Sequence, residues 1–291
     1  MERAILFGPF VGELFWEFFR FAPMLPFFQK IKYPNQNIKY IILTREERFD
    51  IYGKKASILV PLRIEGDYDI MQPECFRLIN YPIENYHKLT RDFRTKYEQR
   101  YKIIDHLVPN IAKGHYTNKN QFSQKNMLFE YEPREENYFL VDSYLPKDKP
   151  LVVLAPRFRK GFKRNWPYWK EFYDLLWEHE SLNKIFNFII CGKPGEYIPD
   201  ERDRFYDMNK VILGSGSSLI GLLMVIMKNA FFTFGSQSAI PNISLLFGVE
   251  ALVFGNEKQY HTKTYNIKRT PVTFLESMNF DIEPKLVLHH L

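Results

Sequence analysis

Short apolar blocks of strand length recur along the chain, and several lead through a glycine-, serine- or cation-bearing loop into a longer segment of helical period. Residues 4–7, 39–44 and 57–61 are such blocks in the first half. In the second half PLVVLAP at 150–156, IFNFIIC ending at 191, AFFTFG starting at 230 and ALVFG at 251–255 are further blocks of this kind. Blocks that are apolar without alternation predict strands buried on both faces, hence parallel strands with helices on either side. Helices are predicted from about residue 14, limited or kinked by Pro23 and Pro26, and over 83–106, 166–180 and 217–228. The second of these reads as long and exposed, and the third opens with Pro167 where a first turn tolerates it. Residues 110–148 are rich in Asn, Lys and Gln without a clear period and read as a connection between two halves.

These patterns predict an α/β protein of two Rossmann-like doubly wound domains facing each other across a cleft. The expected boundaries are an N-terminal domain over 1–148 that includes the polar connection, and a C-terminal domain over 149–265. The remainder, 266–291, is expected to be a tail packing back on the first domain. At 291 residues the chain is long enough for two such cores. In folds of this kind ligands lie at the carboxyl ends of strands, so the loops after each strand carry the candidate chemistry.

The loop GSQSAIPN at 235–242 places small residues at a helix N-terminus, where backbone amides and the helix dipole favour phosphate. Gly235, Ser236, Gln237, Ser238 and Asn242 are therefore candidate phosphate-binding residues, although an isolated helix start of this type is more often merely capped. A similar entry at 214–221 is explained by capping through Ser217 or Ser218. Five of the eight residues from Arg157 to Arg164 are cationic, directly after a buried strand. Arg157, Lys163 and Arg164 are the candidates to hold a pyrophosphate, whereas Trp166 and Trp169 are expected to pack the following helix. At the other end of the chain, GPFVGELFWEFFRF joins a glycine loop to carboxylates at the head of an apolar helix. Glu13 is the candidate catalytic base for a hydroxyl nucleophile, and Gly8, Gly12 and Glu17 are candidate ligand-contact positions beside it. Glu17, one turn deeper, also reads as a buried partner for Arg20 or another cation.

Composition then narrows the class. Two cysteines, Cys75 and Cys191, supply neither a disulfide framework nor a zinc spacing. With no leader-like start and no apolar run long enough to span a bilayer, a soluble, cytoplasmic protein is expected. The formal net charge of +6 favours a polyanionic partner. The 27 Phe and 18 Tyr are assigned mainly to the core, leaving few for stacking on a flat ligand. No P-loop, GxSxG elbow, HExxH or CxxC occurs, and the Asp67-x-Asp69 pair reads as a turn.

In their order these elements resemble the two-domain GT-B glycosyltransferases, most closely the ADP-heptose:lipopolysaccharide heptosyltransferase family. Gly12-Glu13 stands where that family has Gly-Asp. KRNWPYW supplies Lys163, Arg164, Trp166 and Pro167, and Gln237 to Asn242 followed by LLFGVEALVFG matches its phosphate loop with Gln for Asp, Ala for Gly and Asn for His. The resemblance covers about the first thirty residues and most of 150–256. It implies metal-independent transfer from a nucleoside-diphosphate sugar, with a UDP-sugar expected and no other cofactor. It further implies an acceptor-binding first domain with acceptor contacts at Gly8, Gly12 and Glu17. The second domain would bind the nucleotide sugar, with donor contacts at Arg157, Lys163, Arg164 and the 235–242 loop. A carboxylate base opposite the leaving group would give inversion. Two acceptors fit the residues. The basic balance and polar middle point to hydroxymethylated pyrimidine in bacteriophage DNA, whereas the resemblance itself points to a surface or lipopolysaccharide-type glycan. A binding module that has lost catalysis is the remaining alternative, and the oligomeric state is left open.

Overall fold

A computed structural model of the chain describes residues 1–12, 14, 17–64, 82–109, 130–157, 165–192, 204–211, 214, 217–259, 262–263 and 266–291. They fall into two compact units, Met1–Glu132 and Pro133–Leu291. The division thus comes ahead of the boundary at 148 that the sequence suggests.

The first unit holds β1 (Arg3–Phe7), β2 (Lys39–Thr44), β3 (Ile58–Pro61) and β4 (Lys102–Leu107). Their order is β3-β2-β1-β4 and every pairing is parallel. Alternate residues of β1 bury opposite faces, as a sheet covered on both sides requires. Ala4 and Leu6 pack with Tyr86, Phe93 and Tyr97, three residues of the helix Ile83–Glu98. On the other face the Phe7 ring lies 6.1 Å from Phe21 and 5.3 Å from Phe28. The prolines break the N-terminal helical segment into α1 (Met24–Phe27) between two π-helical turns, Glu17–Phe21 and Phe28–Lys32.

Residues 83–106, predicted as one helix, divide instead into α2 (Ile83–Glu98), a turn and β4. The helical spacing of Tyr86, Phe93 and Tyr97 stops there, and Ile103 lies next to Ala4 across the sheet. Charged positions hid this strand. Asp105 pairs with Lys32, and the His106 ring Nε2–H donates to the Gly8 carbonyl at 2.8 Å, so each polar group has a tertiary partner.

The second unit contains β5 (Leu151–Ala155), β6 (Asn187–Ile190), β7 (Phe205–Asp207), β8 (Ala230–Ser236), β9 (Glu250–Gly255) and β10 (Val272–Glu276). The order β10-β9-β8-β5-β6-β7, again all parallel, reverses direction between β5 and β8. Its helices are α3 (Glu135–Tyr144), α4 (Trp169–Glu178), α5 (Glu180–Ile185), α6 (Leu219–Asn229), α7 (Ala239–Phe247) and α8 (Pro284–His289). Trp166 and Trp169 are core residues, packed against Phe172, Phe234 and Phe254, and Trp166 Nε1 donates to the Ile282 carbonyl at 2.8 Å. Helix α4 begins at Trp169, so Pro167 lies before it rather than in its first turn.

The segment 266–291 supplies β10 to this same sheet, while Phe280, Ile282 and Val287 join its core. It is part of the second unit and not a tail folded on the first. Helix α3 packs on α6, which also places the end of the polar connection in the second unit. Cys191 is buried at the end of β6, and burial pushes its thiol pKa up. No helix among the described residues is long and apolar enough to cross a membrane.

Candidate functional site

The reversal of strand order between β5 and β8 makes the carboxyl ends of these strands the place where this sheet can receive a ligand. Arg157, two residues past β5, donates from Nη1 to the Gln237 carbonyl, just past β8, at 2.8 Å. Gly235 permits the close approach needed there. A Cβ on it would come within 2.8 Å of the Ala155 Cβ and 3.3 Å of Pro241 Cγ. Helix α7 then begins at Ser238, an extended N-cap residue whose side chain makes no capping bond. Pro241 brings no N–H, so the amides of Ala239 and Ile240 are the first-turn donors without an intrahelical acceptor. By contrast, α6 is closed by Ser218, whose Oγ accepts the Gly221 amide at 3.0 Å. Two buried polar atoms beside the α7 entry, Ser236 Oγ and Asn242 Oδ1, have no hydrogen-bond partner, while Asn242 Nδ2 donates to the Ser238 carbonyl at 3.1 Å. Open amides, a dipole end and the unused Ser236 hydroxyl beside a guanidinium suit a phosphate-bearing ligand, whereas the Asn242 Oδ1 can only accept and does not serve an anion.

Gln237 has a different part from the one expected. Its Oε1 accepts the amides of Asn256 and Glu257, both at 3.1 Å, and its Nε2 donates to Glu257 Oε2 at 2.5 Å. The side chain is spent on bracing the loop after β9, not on a donor molecule. This bracing fixes the need for Gly255, where a Cβ would fall 2.5 Å from Gln237 Oε1 and 2.7 Å from its Cβ. Gly255→Ala is expected to cost about 1–3 kcal/mol by overpacking, read as a lower midpoint of chemical denaturation.

In the first unit the loop after β1 is buried from Gly8 to Gly12. Gly8, with φ +100, lies so close to β2 that a Cβ would be 2.4 Å from the Leu43 carbonyl oxygen. Its glycine is needed for packing against a strand, not for approach to an acceptor. The loop carbonyls are also occupied. Tyr86 OH donates to Pro109 O at 2.9 Å and lies 3.3 Å from Pro9 O, and Arg48 Nη1 donates to Gly12 O at 2.8 Å.

Glu17 likewise stands as a structural residue, without exposed surface for an acceptor. Its Oε2 takes Arg48 Nη1 at 2.8 Å; its Oε1 takes Thr44 Oγ1 at 2.5 Å and Tyr52 OH at 2.6 Å. Burial, followed by the Glu17 charge, holds the Tyr52 hydroxyl well above its usual pKa, so it stays a donor. The sequence points to Arg20 or another cation as the partner of Glu17, and the structure supplies Arg48. Arg48 is 31 residues away, within a charged stretch that shows no period. The network fixes Gly12 and hence the backbone leading to residue 13. Glu13, Lys163, Arg164, Asp67 and Asp69 lie outside the described residues. Among the described residues, no three His, Cys, Asp or Glu side chains form a metal-binding group.

His106 adds a pH-sensitive element to the same loop. Burial, and secondarily Arg94, lower its pKa from 6.5 against the opposing effects of the Gly8 hydrogen bond, Asp105 and Glu98. As pH falls below about 6.5, the unfolded chain takes up a proton that the folded imidazole resists, so stability contributed above that pH is lost. Urea midpoints of the first unit are expected to fall between pH 7 and pH 5, and to fall less in His106→Gln, which keeps an N–H donor.

Two parallel α/β units, each with its strand-end loops at a reversal of strand order, define the fold as that of the GT-B glycosyltransferases. No protein-family model matches the chain, and no curated protein does so by sequence. Among solved structures it is similar to a glycosyl transferase family 9 protein from Veillonella parvula DSM 2008, with TM-score 0.62 and 11% identity over 99% of this chain and 95% of that one. It is also similar to E. coli ADP-heptose lps heptosyltransferase II, with TM-score 0.59 and 11% identity over 99% and 97% of the two chains. The E. coli heptosyltransferase WaaC with ADP-2-deoxy-2-fluoro heptose gives TM-score 0.56 and 10% identity over 100% and 98%. At these identities the similarity establishes the shared fold.

Proposed function

We propose that the protein is a glycosyltransferase that moves a sugar from a nucleoside-diphosphate sugar to an acceptor hydroxyl. The observation that carries this reading is the β5–β8 switch point, where Arg157 adjoins the uncapped amino end of α7. Its dipole and amides would face the diphosphate, which gains negative charge as the glycosidic bond breaks. Lys163 and Arg164, from the loop that follows Arg157, are assigned to the same leaving group. Glu13 is assigned as the base that removes the acceptor proton while its oxygen attacks the anomeric carbon. A base opposite the leaving group gives inversion, and no metal is needed in this scheme.

For the acceptor, a glycan of surface polysaccharide or lipopolysaccharide type is the better-supported reading. Two of the similar structures are heptosyltransferases, one of them named for lps. The net positive charge, which favoured a DNA base, serves equally for an anionic glycan. The ADP-heptose in one of those names makes ADP-sugars a donor class to set beside the UDP-sugars. The test is incubation with panels of UDP- and ADP-sugars and two acceptors, truncated lipopolysaccharide and hydroxymethylated duplex DNA. Mass spectrometry is expected to find sugar on the glycan. Sugar on DNA alone would reverse the acceptor assignment, and donor binding without transfer to either would leave a binding module.

A further inference from the structure

The first unit contains a second buried arginine that its fold does not satisfy. Arg45 immediately follows β2, at the carboxyl end of the sheet, where folds of this class receive ligands. It is 5% exposed, yet its Nε and Nη1 have no hydrogen-bond partner. A carboxylate oxygen of the exposed Glu47 side chain is 4.0 Å from Nη1, too far for a hydrogen bond. Glu17 attracts Arg45 electrostatically, but its oxygens are taken by Arg48, Thr44 and Tyr52. Burial first, then Arg48, lowers the Arg45 pKa to about 10, which still leaves it charged at neutral pH. A buried guanidinium without hydrogen bonds is costly to hold, and an oxyanion that presents two oxygens side by side, carboxylate or phosphate, is the group whose geometry it fits.

We infer that Arg45 forms an oxyanion-binding subsite in the first unit, for a carboxylate or phosphate group carried by the acceptor. Assigning the anion to an acceptor rests on the transferase reading; the anion site itself does not. It would lie beside the Glu17–Arg48 pair that fixes Gly12, one residue before the proposed base.

The experiment compares thermal midpoints of the full-length protein and Arg45→Met in chloride, phosphate and acetate at equal ionic strength and pH 7. In chloride the variant is expected to be at least as stable as the parent, because it removes an unsatisfied buried charge. Saturating phosphate or acetate should raise the parent midpoint by about 2–4 °C more than that of the variant. Anion bound at the α7 entry, and the general stabilisation by phosphate, act on both proteins and cancel in this difference. A difference in phosphate alone identifies a phosphoryl group, and one in acetate alone identifies a carboxylate. Equal shifts in both proteins overturn the proposal, as does a variant less stable than the parent in chloride. Arg45→Gln replaces Arg45→Met if the latter does not fold, and failure of both to fold counts against the subsite. No sugar or acceptor is present, so the outcome is independent of the transfer assay.

Discussion

Replacing Glu17 with alanine is expected to destabilise the first unit by about 3–5 kcal/mol. The carboxylate is fully buried and accepts three hydrogen bonds, from Arg48, Thr44 and Tyr52. Removing it leaves the Arg48 guanidinium, only 2% exposed, with the Gly12 carbonyl but no countercharge. Two hydroxyls lose their acceptor at the same time, each at a further desolvation cost. Glu17→Gln keeps an acceptor oxygen but not the charge, so an intermediate loss is expected. The double replacement Glu17→Leu, Arg48→Met should recover part of the loss, because no buried charge then stands alone. Urea unfolding of the full chain measures all three, and a loss below about 1 kcal/mol for Glu17→Ala would sink the structural assignment.

Glu13→Gln is expected to behave in the opposite way. Removal of a general base should lower the transfer rate about 10²–10⁴-fold, with the thermal midpoint unchanged. Single-turnover kinetics with saturating donor isolate the chemical step. Near-normal transfer by the variant, or a product of retained anomeric configuration, would falsify the assignment of Glu13 as base. The pair of substitutions separates two carboxylates four residues apart: one is read from activity and the other from stability.

Much of the fold was legible because buried parallel strands are written as unbroken apolar runs. β2 was predicted to its ends, and PLVVLAP, IFNFIIC and AFFTFG each contain a strand of the second sheet. Strands with mixed composition were not seen. β4 carries Lys102, Asp105 and His106 and reads as a continuation of α2, because the partners of its polar groups lie elsewhere in the chain. β7 and β10, at the two edges of the second sheet, are short or half-exposed and lack an apolar run.

At the candidate sites the sequence marked positions better than roles. Arg157, Gly235, Ser236, Ser238 and Asn242 are assembled at or beside the switch point, as their place after strands implied. Gln237 and Gly8 were read as ligand-facing because loops after strands usually are. Both serve neighbouring backbone instead, Gln237 at 256–257 and Gly8 at Leu43.

The sequence by itself determined the alternation of strand and helix, the two-unit parallel architecture and the small-residue entry to α7. These depend on local composition and on hydrogen bonding that each segment requires wherever it lies. Only the tertiary structure decided that Glu17 belongs to Arg48, that His106 closes the Gly8 loop and that the buried Nε and Nη1 of Arg45 make no hydrogen bond. Such facts are set by which distant groups meet after folding, across 31 residues for Glu17 and 98 for His106. A buried charge without a partner has no signature in a linear chain, because the missing contact becomes visible only when the surrounding groups are in place.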